Sequence, residues 1–132
     1  MVINFQNYSQ KKEMKIFRTY IIHCARHIPT LDDEHICKNM HGHTFNILVE
    51  LDGPINKKTG FVMDFFDLDN IVKREVITKI DHKLLNEIKG LENPTSEHLA
   101  IWIWKKLLNH IDCLSNISVS EELGTGVQYS GQ

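Results

Sequence analysis

The chain has 132 residues, 42% of them hydrophobic and 24% charged, with a formal charge of -2 at neutral pH. This length suits one domain that buries a hydrophobic core without the help of disulfide bonds or structural metal ions. The net charge excludes a basic surface that attracts nucleic acid. The three cysteines (Cys24, Cys37, Cys113) have no short paired spacing, which excludes a disulfide framework. No apolar run reaches membrane-spanning length, which excludes a transmembrane segment. We therefore expect a cytoplasmic protein without a direct nucleic-acid or membrane partner.

The first half of the chain reads as two strands after a polar start. Residues 1–13 have no sustained period and are predicted to be a loose extension in front of a single domain over 14–132. Aromatic and β-branched residues over 15–25 predict a long first strand, and a polar loop over 27–40 follows it. Alternating apolar residues over 43–51 predict the second strand.

The second half adds two helices and two further strands. Asp67 is predicted as the N-cap of a helix over 67–80, and Thr95 or Ser96 as the cap of a second helix. The second helix has apolar positions every four residues: Leu99, Ile103, Leu107 and Ile111. Residues 117–121 alternate as a strand, and a short last strand follows. The order favours an α+β domain with a four-stranded antiparallel sheet and both helices on one face. Exposed sheet edges in so small a domain invite pairing with other copies.

Histidines are concentrated in one region of the chain. His41 and His43 stand two apart at the start of a predicted strand, so both side chains should leave the same face and could hold one metal ion. A third ligand would leave zinc with one open position, which is the arrangement of a catalytic site. His27 is the first choice for that ligand, with His23 and His35 as alternatives.

Other residues are candidates for proton chemistry or ligand binding. Cys37 is either a small buried hydrophobe or a thiol that acts as base or nucleophile, and spacing favours neither. Asp81 and His82 end a predicted helix, where the dipole favours a protonated histidine, but they could also form a proton relay. Glu121 alternates in step with the inward-facing residues of its strand, so its carboxylate is expected to point into the protein. A ligand with hydrogen-bond donors is one way to satisfy such a buried carboxylate.

Taken together, five motifs in this order resemble the pterin synthases that act on 7,8-dihydroneopterin triphosphate. The motifs are Cys37-x-x-x-His41-Gly42-His43, residues 59–65, residues 81–86, residues 90–97, and Val119-Ser120-Glu121 followed by Tyr129. The resemblance runs from about residue 15 to residue 131. The three-residue gap between Cys37 and His41 is similar to the 6-carboxytetrahydropterin synthase branch of queuosine biosynthesis, since the 6-pyruvoyl branch usually has a longer gap.

The resemblance implies a fold, an assembly and a cofactor. The fold would be the tunnelling fold, in which subunits join their sheets into a barrel, as a homo-oligomeric trimer or hexamer with sites between subunits. The reaction releases triphosphate and acetaldehyde and yields 6-carboxy-5,6,7,8-tetrahydropterin. Zinc would be the cofactor, held by His27, His41 and His43 and bound to hydroxyls of the substrate side chain.

The resemblance also implies roles for individual residues. The catalytic residues would be Cys37, as the proton-abstracting thiolate, with Asp81 and His82 as its partner relay. The substrate-binding residues would be Glu121, which anchors the pterin ring through its N–H groups, with Thr95 and Ser96 near that pocket.

One position departs from the family pattern. The family's first-strand histidine follows two small residues, and a gapless match places Arg26 there instead of His27. In a strict register His27 faces the opposite side of the strand, and a local bulge would restore it; otherwise His23 or His35 must substitute, or the metal binds weakly. Arg26 could instead meet the triphosphate. The alternatives to the main hypothesis are a 6-pyruvoyltetrahydropterin synthase and a paralogue that binds zinc or pterin without turnover.

Overall fold

Four antiparallel strands form one sheet in the computed structural model, which describes residues 12–131. In spatial order they are β1 (Met14–Arg26), β2 (His41–Gly53), β3 (Leu114–Ser120) and β4 (Val127–Tyr129). The predicted loose extension over 1–13 lies outside the described residues except for 12 and 13. Glu13 precedes β1 and is joined to the end of β2, because its backbone N donates to the backbone O of Gly53 at 3.3 Å.

The β1–β2 hairpin sets which side chains share a face. Its register is unbroken, from Met14 opposite Gly53 to Arg26 opposite His41. Because side chains alternate along a strand and directly opposed residues share a face, this register assigns every side chain of the two strands to a face. Ile22 and Phe45 pair on the buried face, so Arg26 and His41, four residues further along each strand, lie on that same face.

Helix α1 begins earlier than the sequence predicted. It is α-helical over Phe65–Val72, π-helical over Lys73–Ile77 and α-helical again over Thr78–Ile80. Its N-cap is Asp64, whose carboxylate accepts from the backbone N of Phe66 at 2.8 Å, so the assignment of Asp67 as the cap was wrong. The apolar spacing begins one turn late because Phe65 and Phe66 in the first turn are exposed.

Helix α2 spans Ser96–Leu107, and its cap is one of the two residues predicted. Thr95 accepts from the backbone N of His98 at 3.1 Å. The predicted apolar positions are all buried, namely Leu99, Ile103, Leu107 and Ile111. They pack with inward residues of α1 and the sheet, which confirms an α+β domain with both helices on one face. None of the helices found between residues 12 and 131 has the length and apolar character needed to traverse a lipid bilayer.

Candidate functional site

The two histidines of the His-x-His motif lie side by side on the inner face of β2. Their ring centroids are 4.1 Å apart, which confirms that both side chains leave the same face. Nδ1 of His41 lies 2.7 Å from the backbone O of Asn39, and a carbonyl only accepts, so Nδ1 carries the proton and Nε2 the lone pair. Nε2 of His43 is buried and has no hydrogen-bond partner among residues 12–131. The pair therefore offers two ring nitrogens to an ion or ligand.

Arg26 lies on the same face, opposite His41, and is only 4% exposed. Its Nη1 donates to the backbone O of Pro94 at 2.8 Å, and its Nη2 donates to a carboxylate oxygen of Glu121. The guanidinium carbon lies 5.0 Å from the centroid of the Phe45 ring. A permanent positive charge is thus buried beside the histidine pair.

Glu121 follows the last residue of β3 and turns inward, as the phase of that strand predicted. Its Oε1 accepts from Arg26 and, at 3.2 Å, from the hydroxyl of Ser96. Within the described part of the chain Oε2 receives no hydrogen bond. The carboxylate lines a recess of about 220 Å³ together with Ser96, Glu97, Thr125, Gly126 and Val127. Glu121 therefore has one oxygen fixed by the protein and one available to a ligand.

His27, the predicted third metal ligand, is not brought to the histidine pair. It follows the end of β1, and its backbone is held by Asn86, whose side chain accepts from N of His27 at 3.0 Å and donates to its O at 2.9 Å. The register of β1 contains no bulge that would turn His27 onto the face of His41 and His43. Strand alternation therefore gives that position on the inner face to Arg26.

The two alternative ligands are also engaged elsewhere. His23 pairs with Thr44 on the opposite face of the sheet, with its Nδ1 at 3.1 Å from the hydroxyl of Thr44. Nδ1 of His35 accepts from the backbone N of Cys37 at 3.0 Å. Among residues 12–131 no three side chains of histidine, cysteine, aspartate or glutamate come together to hold a metal ion. The donors present do not fit the predicted three-histidine zinc site, and zinc dependence stays a prediction of the resemblance.

Asp81 and His82 do meet, which their adjacency alone could not show. Oδ1 of Asp81 accepts from the backbone N of His23 at 2.9 Å, and its Oδ2 lies 3.6 Å from Nε2 of His82. The backbone N of His82 donates to the backbone O of His23 at 2.6 Å. His82 also has a φ of 59°, a strained conformation for a residue with a side chain, and such strain clusters at functional sites. The edge of β1 thus holds an aspartate fixed by a hydrogen bond and, beside it, an exposed histidine.

Cys37 lies on a short 3-10 turn, Ile36–Lys38, and is half-buried. The turn is fixed through its backbone, because O of Cys37 accepts from N of Ile28 at 2.8 Å. No hydrogen bond or ion pair within residues 12–131 joins Cys37 to Asp81 or His82. One chain therefore presents the predicted thiol and the predicted relay without connecting them, and their catalytic roles stay predictions.

His43 gives the site a pH dependence. Burial, and then the charges of Arg26 and His41, lower the pKa of His43 below its ordinary value of 6.5. As the pH falls below 6.5 the unfolded chain takes up a proton at this residue before the folded chain does, so this histidine destabilises the fold increasingly until its folded pKa is passed. We expect His43→Gln to flatten the decline of the unfolding free energy between pH 7 and pH 5, measured by urea denaturation. A pH profile unchanged by the substitution would contradict this assignment.

The sheet of four antiparallel strands with two helices on one face defines a protein of the tunnelling-fold class. A solved structure of 6-pyruvoyl tetrahydropterin synthase from Caenorhabditis elegans is similar with a TM-score of 0.81, over 90% of this chain and 96% of that chain, and its 24% identity supports the fold alone. The family profile described as 6-pyruvoyl tetrahydropterin synthase matches residues 15–132. The chain belongs to this family.

Two relatives carry the name of the 6-carboxy branch. A 6-carboxy-5,6,7,8-tetrahydropterin synthase from Synechocystis is 33% identical over 119 residues, which are 86% of this chain and 91% of that protein. A protein from Archaeoglobus fulgidus that bears the same name provisionally is 49% identical over 71 residues, 54% of this chain. This match spans only 58% of the length of the Archaeoglobus protein.

Proposed function

We propose that this chain is a pterin synthase that converts 7,8-dihydroneopterin triphosphate and water into 6-carboxy-5,6,7,8-tetrahydropterin, acetaldehyde and triphosphate. The observation that carries the proposal is the inward carboxylate of Glu121, with Oε1 held by Arg26 and Ser96 and Oε2 open to the recess. The amino-pyrimidinone edge of a pterin presents adjacent N–H donors, which a carboxylate accepts well. The three-residue gap between Cys37 and His41, and the Synechocystis relative, favour the 6-carboxy product.

The proton carriers are the thiol of Cys37 and the imidazole of His82. Rearranging the side chain of the substrate moves protons between neighbouring carbons, and a base and an acid on opposite sides of the substrate serve that need. Asp81 lies 3.6 Å from the ring of His82, whose side chain is 76% exposed and so faces away from its own core. Zinc dependence remains a prediction of the resemblance, and no proton transfer is assigned to a metal.

The site is completed by another copy of the chain. The recess beside Glu121 has about 220 Å³, below the about 300–1,000 Å³ of typical small-molecule pockets, so a further wall is needed to enclose a pterin. The outer face of β1 exposes Phe17 by 60% and Ile21 by 59%, which favours cover by a neighbour. We propose a trimer or hexamer in which sheets join edge to edge and bring Cys37 of one subunit toward His82 of another.

The free thiols suit the cytoplasm, where the product would enter queuosine biosynthesis.

Product analysis tests the proposal. Purified protein incubated with 7,8-dihydroneopterin triphosphate should release acetaldehyde and 6-carboxytetrahydropterin in equal amounts, and repeating the assay with added zinc and with a chelator tests the zinc dependence that the resemblance predicts. Loss of triphosphate without acetaldehyde would identify the 6-pyruvoyl reaction instead. Neither product, from protein that still binds the pterin, would contradict turnover and indicate a binding paralogue.

A further inference from the structure

A buried guanidinium occupies the position on the inner face where a third metal ligand would be needed. We propose that Arg26 takes the place of that ligand and supplies the positive charge of the site itself, so that the chain binds its pterin without a tightly held zinc ion. The inference concerns the metal content of the protein and stands whether or not the pterin is turned over.

The strand register places Arg26 there. Arg26 is directly opposite His41, on the face that carries both histidines, and the ladder is continuous up to this pair. The next residue, His27, is held through its backbone N and O by Asn86, so that a shift of one residue would break two hydrogen bonds. A histidine can enter the group only by substitution at position 26.

The charge of Arg26 opposes a second cation. A guanidinium stays protonated at every physiological pH, and in a partly desolvated site like charges repel far more strongly than they do in water. Among residues 12–131 only the carboxylate of Glu121 pairs with Arg26, so a divalent ion on His41 and His43 would add uncompensated charge as well as lack a ligand. Losing even an outer-shell partner costs about 10–100-fold in metal affinity, so the loss of a direct ligand should cost at least the upper end of that range.

The same contacts make Arg26 a positioning residue for the ligand. Its planar fork reaches the backbone O of Pro94 with Nη1 and the carboxylate of Glu121 with Nη2, which fixes the orientation of that carboxylate. Nε of Arg26 is buried and has no hydrogen-bond partner among residues 12–131.

Exchanging two neighbouring residues tests the inference. We expect the wild-type chain, incubated with excess zinc and desalted, to retain far less than one zinc per chain. Arg26→His with His27→Arg keeps the composition and places three histidines on one face, and it should retain about one zinc per chain, as a three-histidine site does, with at least roughly 100-fold tighter binding. His41→Ala in the exchanged chain should abolish the gain. His27→Arg alone and Arg26→Lys, which keeps the charge, should both stay poor in zinc.

Two outcomes would overturn the inference. The first is a wild-type chain that retains about one zinc per chain and loses it with His41→Ala, because the histidines would then bind metal despite Arg26. The second is an exchanged chain that unfolds cooperatively like the wild type, by urea denaturation, and still fails to gain zinc. The wild-type measurement decides the question even if the exchanged chain does not fold.

Discussion

Replacing Cys37 with alanine is expected to lower the rate of the proposed pterin conversion by about 10²–10⁴-fold, the range for loss of a group that transfers a proton. The fold should be unaffected, because the 3-10 turn is held by the backbone of Cys37, through O to Ile28 and through N to His35, and alanine keeps both hydrogen bonds. Single-turnover rates with 7,8-dihydroneopterin triphosphate, together with an unchanged urea midpoint, would establish this result.

Cys113 provides the matched control. Burial raises the pKa of the Cys113 thiol, so it stays protonated at neutral pH, and it lies in the loop before β3. Cys113→Ala should therefore leave the rate within about twofold of the wild type, since it removes no proton carrier. A Cys37→Ala chain that turns over as fast as Cys113→Ala would remove Cys37 from the proposed chemistry.

Glu121→Ala is expected to lower the free energy of unfolding by about 3–5 kcal/mol, the cost of removing one partner of a buried ion pair. Arg26 is 4% exposed and Glu121 is its only carboxylate partner among residues 12–131, so the substitution leaves a buried cation without compensation. The double substitution Arg26→Met with Glu121→Ala should recover most of the loss, because an apolar side chain fits a site that lies against the ring of Phe45. The measurement is a double-mutant cycle by urea denaturation.

This cycle separates the two roles of the carboxylate. Pterin binding should be lost in Glu121→Ala and should stay lost in the double variant, although the double variant regains stability. A Glu121→Ala chain within about 0.5 kcal/mol of the wild type, as for an ordinary surface substitution, would show that the pair is not buried in solution.

Local patterns predicted the elements of the fold, since they report on burial along one face. Alternation marked β1 and β2, and four-residue spacing marked α2 from Leu99 to Leu107, whereas Ile111, predicted to continue that spacing, is buried beyond the end of the helix. The start of α1 was predicted one turn late, because the first turn displays exposed phenylalanines and offers no inward pattern to read. No local pattern along β1 indicates whether another copy of the chain covers its exposed face.

The site was predicted only where strand geometry decides it. The shared face of His41 and His43 follows from their spacing, and the gapless match to the family pattern put Arg26 at the place of the first-strand histidine, which the register confirms by setting Arg26 opposite His41. The pairing of Arg26 with Glu121 joins residues 95 positions apart, and no local pattern encodes such a contact. The hydrogen bond between the backbone of His27 and the side chain of Asn86 also joins residues far apart in sequence. It keeps His27 in the position where β1 has no bulge, whereas the predicted zinc site would have required one.

A calorimetric titration of 7,8-dihydroneopterin into the wild-type chain in excess chelator tests the central claim most directly. The account predicts saturable binding with the same Kd whether or not the chelator is present, and no binding to the Arg26→Met, Glu121→Ala chain. Binding that appears only after zinc is added, or no binding under either condition, would contradict it.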